Sequence, residues 1–147
     1  MIVPRPAAFT LIELLVAITI AAIVAGLAAA SWHRHLQRSW RVQARTAMIA
    51  AMLELQRHAM ARGSFADDGG RRPAGTWPQW LPAPPAQPQY RLAALPCTDA
   101  GLDRCIELHA APQWPDPACG TLILRSGGEW LIESADMAGP VPWPAGC

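Results

Sequence analysis

Ala8-Phe9-Thr10-Leu11-Ile12-Glu13-Leu14-Leu15-Val16 opens a run of 24 residues, Ala7 to Ala30, whose one charged side chain is Glu13. A run this long and this apolar is sufficient to cross a bilayer as a helix. A carboxylate held in hydrocarbon costs a few kcal/mol unless a cation meets it, so Glu13 is a functional residue by default. Its place in the first helical turns is the favourable end of the macrodipole. The helical reading extends well beyond the run. From Phe9 to Arg62 there is no Pro, and the one Gly is Gly26. A single helix of 54 residues is expected, about 80 Å long, with Arg62 in its last turn and Gly63 as the stop. Past the apolar run, Leu36, Trp40, Ala44, Ala47, Ala51 and Leu55 recur at three- and four-residue steps. They are expected to share the face that packs on a C-terminal sheet.

The order of a small residue, Phe9, Thr10, Leu11, Ile12 and Glu13, behind a short leader with Arg5, resembles the type IV prepilin signature. In that family a prepilin peptidase cuts before the Phe, on the cytoplasmic side, and N-methylates the new terminus. The resemblance implies a cut between Ala8 and Phe9, loss of Met1 to Ala8, and a methylated Phe9. Gly usually precedes the cut in the family. Ala8 stands there in this chain, small enough to fit, and slower processing is expected. The family's acid falls on Glu13, which would pair with the terminal amine of a neighbouring subunit. The physics agrees, because the cut creates a cation at the depth of the carboxylate. The segments Leu36 to Asp67 and Cys119 to Gly128 most resemble PilE-like minor pilins. Where the family often carries helix-bending Pro, this chain has Ala30 and Ala50.

The fold class that follows is α+β and pilin-like: a long N-terminal helix, its first half membrane-spanning, packed on a small antiparallel β-sheet. The expected divisions are a leader over 1–8, a transmembrane or filament-core helix half over 9–32, and an amphipathic half over 33–63. A loop, the sheet and a disulfide-closed C-terminal region fill 64–147. A cleaved secretory signal has a shorter apolar core ending in small residues; here the helical pattern runs straight on. The charge tally points the other way from the motif. Arg5 and the Met1 amine precede the span and Arg34, Arg38, Arg41 and Arg45 follow it, which by the positive-inside rule alone favours the reverse orientation.

All 12 basic residues are Arg. Without Arg5 there are 11 Arg against 11 acids, a near-neutral balance that argues against a general nucleic-acid binder. The 15 Pro lie in the leader or from Pro73 onward, so the chain divides into a Pro-free and a Pro-rich half. The four cysteines, Cys97, Cys105, Cys119 and Cys147, all fall in the second. An even number in an exported domain with a thin core reads as two disulfides, and four cysteines allow three pairings. Cys97–Cys105, closing a short loop, and Cys119–Cys147, tying the last residue to the sheet, are favoured. The pilin resemblance supports the second, since pilins commonly close a C-terminal loop in this way. Zinc is the rival reading, and no Cys-x2-Cys pair supports it.

Ser64 to Gln89 reads as loop, with Asp67-Asp68-Gly69-Gly70 followed by a Pro-rich run. Tyr90 to Leu95 and Cys105 to His109 read as strands, and Thr121 to Arg125 with Glu129 to Ser134 as a hairpin around Gly127-Gly128. Ala135 to Cys147 reads as a Pro-broken tail. Three Trp-Pro pairs, at Trp77, Trp114 and Trp143, read as chance or loop packing.

The sequence contains no nucleophile motif, phosphate loop or dinucleotide fingerprint. His33 and His35 fall on different helix faces and make poor joint ligands, while His58 and His109 read as isolated. The expectation is no enzyme, no cofactor and no metal. Arg34, Arg38, Arg41 and Arg45 are expected on one helix face away from the apolar stripe. There they could contact solvent or lipid headgroups, bridge to neighbouring subunits, or, least favoured, touch DNA. The resemblance implies a minor type IV pilin, held in the inner membrane with its head in the periplasm and then moved into a cell-surface pilus. Its expected partners are other pilins, the prepilin peptidase, the assembly machinery of the inner membrane, and membrane lipid. The alternatives are a type II secretion pseudopilin, or a pilus-displayed binding module for adhesion or DNA uptake.

Overall fold

The structure is a computed structural model that describes residues 10–145 and 147, without the side chains of 28–31. The expected processing site, Ala8 and Phe9, lies outside the described residues. Helix α1 spans Leu11–Arg62. Thr10 caps it: the Glu13 N–H donates to Thr10 Oγ1 at 3.3 Å. Thr10 and Glu13 thus stand at capping-box spacing. At the other end Gly63 takes φ +76° and its N–H donates to the Ala59 carbonyl at 2.7 Å, a left-handed stop that a side chain would strain.

The chain forms two compact units, one ending at Arg38 and one spanning Ser39–Cys147, and α1 contributes to each. In the first, Leu11, Ile12, Leu14, Leu15, Val16, Ile18, Ile20, Ile23, Val24 and Leu27 are all exposed. A helix apolar on every side and uncovered is built for a bilayer or a packed bundle, and this one is long and apolar enough to cross a membrane. The Thr19 hydroxyl donates to the Val16 carbonyl at 2.8 Å, so this polar group needs no water.

In the second unit six antiparallel strands follow one another in simple order: β1 (Gln79–Leu81), β2 (Tyr90–Pro96), β3 (Ile106–Pro112), β4 (Thr121–Arg125), β5 (Trp130–Glu133) and β6 (Val141–Pro142). The core-facing residues alternate along each strand. Tyr90, Leu92 and Ala94 on β2, Ile106, Leu108 and Ala110 on β3, Leu122 and Leu124 on β4, and Ile132 on β5 are buried. The helix meets them with Ala44, Met48, Met52 and Leu55. The stripe expected from sequence is therefore one residue out of place in its middle. Ala47 and Ala51 are only half-buried and flank a groove with Ala74, Gly75 and Trp77. Long, unbranched Met side chains fill the uneven space over a sheet better than Ala does.

β1 and β6 correct two further expectations. β1 lies inside the segment read as loop, and β6 inside the tail. Both are short edge strands recruited by pairing with β2 and β5, a tertiary effect with little local signature. The β4–β5 hairpin turns through Ser126-Gly127-Gly128, with the Arg125 N–H donating to the Glu129 carbonyl at 3.0 Å. Disulfides join Cys97 to Cys105 and Cys119 to Cys147, with Cα separations of 5.5 Å and 5.7 Å. The first sits one step beyond the Pro96–Ile106 pair and closes the mouth of the β2–β3 loop.

Candidate functional site

Within the head, the start of the amphipathic helix is held by charge and aromatic rings together. Arg41 donates from Nε to Asp116 Oδ2 at 2.9 Å and from Nη2 to Asp116 Oδ1 at 2.7 Å. The Asp116 side chain is 1% exposed and that of Arg41 12%. Asp116 Oδ1 also accepts from the Cys119 backbone N–H at 3.2 Å. A connected path therefore runs from α1 through Asp116 to Cys119 and on through the disulfide to Cys147. The hydrogen bond that Arg41 donates to Asp116 is the main cause that raises the Arg41 pKa above its ordinary value. Two-point pairing suits a planar guanidinium and would be lost with Lys.

Aromatic side chains surround the pair. Trp114 lies 5.8 Å from both the Trp40 ring and the Arg41 guanidinium carbon, and meets Tyr90 edge-on at 6.3 Å. One turn along the helix, the Arg45 guanidinium carbon stands 5.3 Å from the Trp130 ring and 4.9 Å from the Trp143 ring. Those two rings meet edge-on at 5.3 Å. Such contacts each contribute on the order of 0.5–2 kcal/mol. Burial, above all, raises the pKa of the Tyr90 phenol.

These contacts correct the expected four-Arg face. Arg41 and Arg45 lie beside the buried stripe and are committed to the head. Arg38 stays exposed, and Arg45, though it contacts two rings, is exposed as well. The reason is geometric: Arg41 and Arg45 are each three residues from Ala44 or Met48, so they border the sheet-facing row. Trp114 and Trp143 of the Trp-Pro pairs are structural, and the Trp77 Nε1–H donates to the Ala74 carbonyl at 2.7 Å. The reading of His58 and His109 as isolated is also corrected. His58 Nε2 lies 2.8 Å from the Ala66 carbonyl. On the sheet face away from the helix, His109 Nε2 lies 2.9 Å from Glu107 Oε2, and Arg125 Nε donates to Glu107 Oε1 at 2.8 Å.

In the first unit, Glu13 sits in the opening turn of α1 with an exposed side chain. Among the described residues no cation meets its carboxylate. Exposed apolar side chains run from Leu11 to Leu27, and Trp32 follows, 62% exposed, with its ring 6.4 Å from that of His35. The family model for the prokaryotic N-terminal methylation motif matches residues 4–29. The chain carries the type IV pilin signature. No curated protein and no solved structure matches it. The signature supports a type IV pilin-like or pseudopilin protein that assembles with other pilins and is processed by a prepilin peptidase.

The pilin-like architecture is complete in outline: a long N-terminal helix and an antiparallel sheet packed on its later half. The apolar first half is consistent with membrane anchoring before assembly. Trp32, His33, Arg34, His35 and Arg38 follow the uncharged span, and amphipathic rings with basic side chains are the residue types of a membrane–water boundary. The residues that sequence reasoning missed are Asp116, Tyr90, Trp130 and Glu107. Asp116 did leave a trace: it is the one acid between Glu107 and Glu129, and it stands between Pro115 and Pro117.

Proposed function

We propose that this protein is a minor type IV pilin, a structural and assembly subunit rather than an enzyme. The observation that carries the reading is Glu13, the one acid in the apolar, uncovered first half of α1, without a cation partner among the described residues. A cut before Phe9 would supply that cation as the terminal amine of a neighbouring subunit. In the monomer, dipole and interfacial water partly compensate the carboxylate. In a filament the amine would neutralise it where water is excluded, and the pair is then worth more than a surface ion pair. The span would anchor the subunit in the inner membrane, with the head in the periplasm, and later pack among other spans in a cell-surface pilus. The disulfide-closed tail and the Arg-rich exit from the span favour this over a type II secretion pseudopilin.

The test follows tagged protein in sheared filaments relative to the membrane fraction. The wild-type chain should reach filaments, and its intact mass should correspond to a methylated Phe9 terminus. Glu13→Gln and Glu13→Val should still insert and be cleaved, since each makes the span less polar, but should enter filaments poorly. Retention of Met1 to Ala8 in filaments, or an unchanged filament ratio for both variants, would refute the reading.

A further inference from the structure

The groove between α1 and the segment 74–79 is a cleft that neither the core nor the assembly reading uses. It encloses about 590 Å3, within the range of small-molecule sites. On one side Ala47, Ala50 and Ala51 give a helix surface without projecting side chains, and on the other stands the Trp77 indole. The indole is tied to its own loop rather than to the helix. Its Nε1–H donates to the Ala74 carbonyl three residues back, at 2.7 Å. Gly75 takes φ +95°, and the place a Cβ would occupy there lies 3.4 Å from Nε1, so the loop wraps the edge of its own ring. A fixed flat wall beside a floor of methyl groups makes a slot, and an aromatic ring is the shape that fills one.

The polar atoms of the lining select which ring. His58 Nε2 faces the Ala66 carbonyl at 2.8 Å. A carbonyl only accepts, so Nε2 carries the proton and the neutral imidazole keeps Nδ1 as an acceptor. Glu54, one helical turn away, gives Oε1 to Arg57. That pair is solvent-exposed on both sides and holds its partners weakly. Oε2 of Glu54 has no partner among the described residues, and Arg57 is not part of the lining. Both ring N–H groups of the lining, on His58 and Trp77, are thus spent inside the protein, and the unspent atoms at the Glu54–His58 end are acceptors. A ring that carries an N–H or O–H donor satisfies them, and an anionic ring does not.

We propose that this slot binds a flat aromatic molecule that carries an N–H or O–H donor and no negative charge. The proposal goes beyond the pilin reading and does not rest on it. The probe is free indole, added to the full chain in detergent micelles and followed by saturation-transfer NMR of the ligand, beside N-methylindole and indole-3-acetate. Methylation removes the donor and makes the ring more apolar. Simple partitioning into micelle or groove therefore favours N-methylindole, whereas the slot should bind it roughly threefold to tenfold more weakly than indole, the weight of one hydrogen bond. Indole-3-acetate should also bind more weakly than indole. Ala50→Leu places a branched side chain on the floor, at an exposed helical position that accepts Leu, and should abolish the saturable signal while non-reducing peptide mapping still finds both disulfides. Gln113→Leu, exposed and outside the lining, should bind indole as the wild type does. No saturable signal in the wild type, a signal that survives Ala50→Leu, or equal binding of indole and either analogue overturns the proposal. Each outcome leaves the filament test of the pilin reading untouched.

Discussion

The guanidinium of Arg41 and the carboxylate of Asp116 form a two-point ion pair between residues 75 apart in sequence. It joins α1 to the connection that leads into β4. Arg41 is neutralised by a buried acid of its own head, and Arg45 rests on two indole faces.

Breaking this pair from one side should be severe. Asp116→Ala leaves a mostly buried guanidinium without its counter-charge and removes the acceptor for the Cys119 N–H. A loss of about 3–5 kcal/mol is expected, read from urea unfolding of the full chain in detergent by tryptophan fluorescence. Arg41→Met combined with Asp116→Leu should lose far less, because neither charge is then stranded. A single variant within about 1 kcal/mol of wild type would show that the pair does not anchor the helix.

Tyr90 is the only tyrosine in the chain, so its ionisation can be read directly by ultraviolet absorbance. Its hydroxyl is buried beside the Arg41–Asp116 pair, and burial raises its pKa above the ordinary value of 10.0. The folded state therefore holds the proton more tightly than the unfolded one. Stability should be unaffected by this group below about pH 10 and should fall above it, as the unfolded phenol ionises first. Tyr90→Phe should remove this alkaline loss and change stability at pH 7 by no more than about 1 kcal/mol. A phenol titrating at its ordinary value in the folded chain would contradict the burial described here.

Gly120 is a position that no other residue fits. Its φ is +54°, and an added Cβ would lie 2.2 Å from the Glu133 carbonyl oxygen. The contact is backbone to backbone, so no side chain can swing away. Gly120→Ala should cost at least about 2 kcal/mol, seen as a lowered thermal midpoint with slower formation of the neighbouring Cys119–Cys147 bond. A midpoint equal to wild type would mean that β5 yields more easily than its pairing with β4 implies.

The two disulfides should differ in worth. Cys119–Cys147 spans 28 residues and Cys97–Cys105 spans 8. On chain entropy alone, removing the longer link should cost about 3–4 kcal/mol and the shorter about 2–3. Paired Ser variants compared by urea unfolding give both values. Loss of the longer link should also free Trp143 from Arg45 and alter its fluorescence, whereas loss of the shorter should not. The reverse order of stabilities would place the strain or residual structure elsewhere.

The parts of this protein written in local sequence are those whose physics is local. Composition and spacing alone delimit α1: an uncharged run, then no Pro until Gly63 ends the helix one residue after Arg62. Period-two alternation and Gly127-Gly128 locate β4 within its observed bounds and the other three main strands to within a few residues. The prepilin-like signature is likewise contiguous, and so it is legible without a fold. Cys97–Cys105, across a short loop, is nearly local as well.

Everything else depends on which surfaces meet. β1 and β6 exist because β2 and β5 offer them partners; three residues set between Pro78 and Pro82, and two residues ending in Pro142, are too short to carry a strand period. The choice of Met48 and Met52 over Ala47 and Ala51 for the centre of the helix–sheet contact depends on the shape of the gap. A helical pattern fixes a row only to within a neighbouring row or so. The division of the four arginines is decided the same way. Sequence spacing places them along one side of a helix, but only the folded head brings Asp116, Trp130 and Trp143 to Arg41 and Arg45. A charge read in isolation is solvated by default, and burial with a partner requires residues that are distant in the chain and adjacent only once the sheet has closed over the helix.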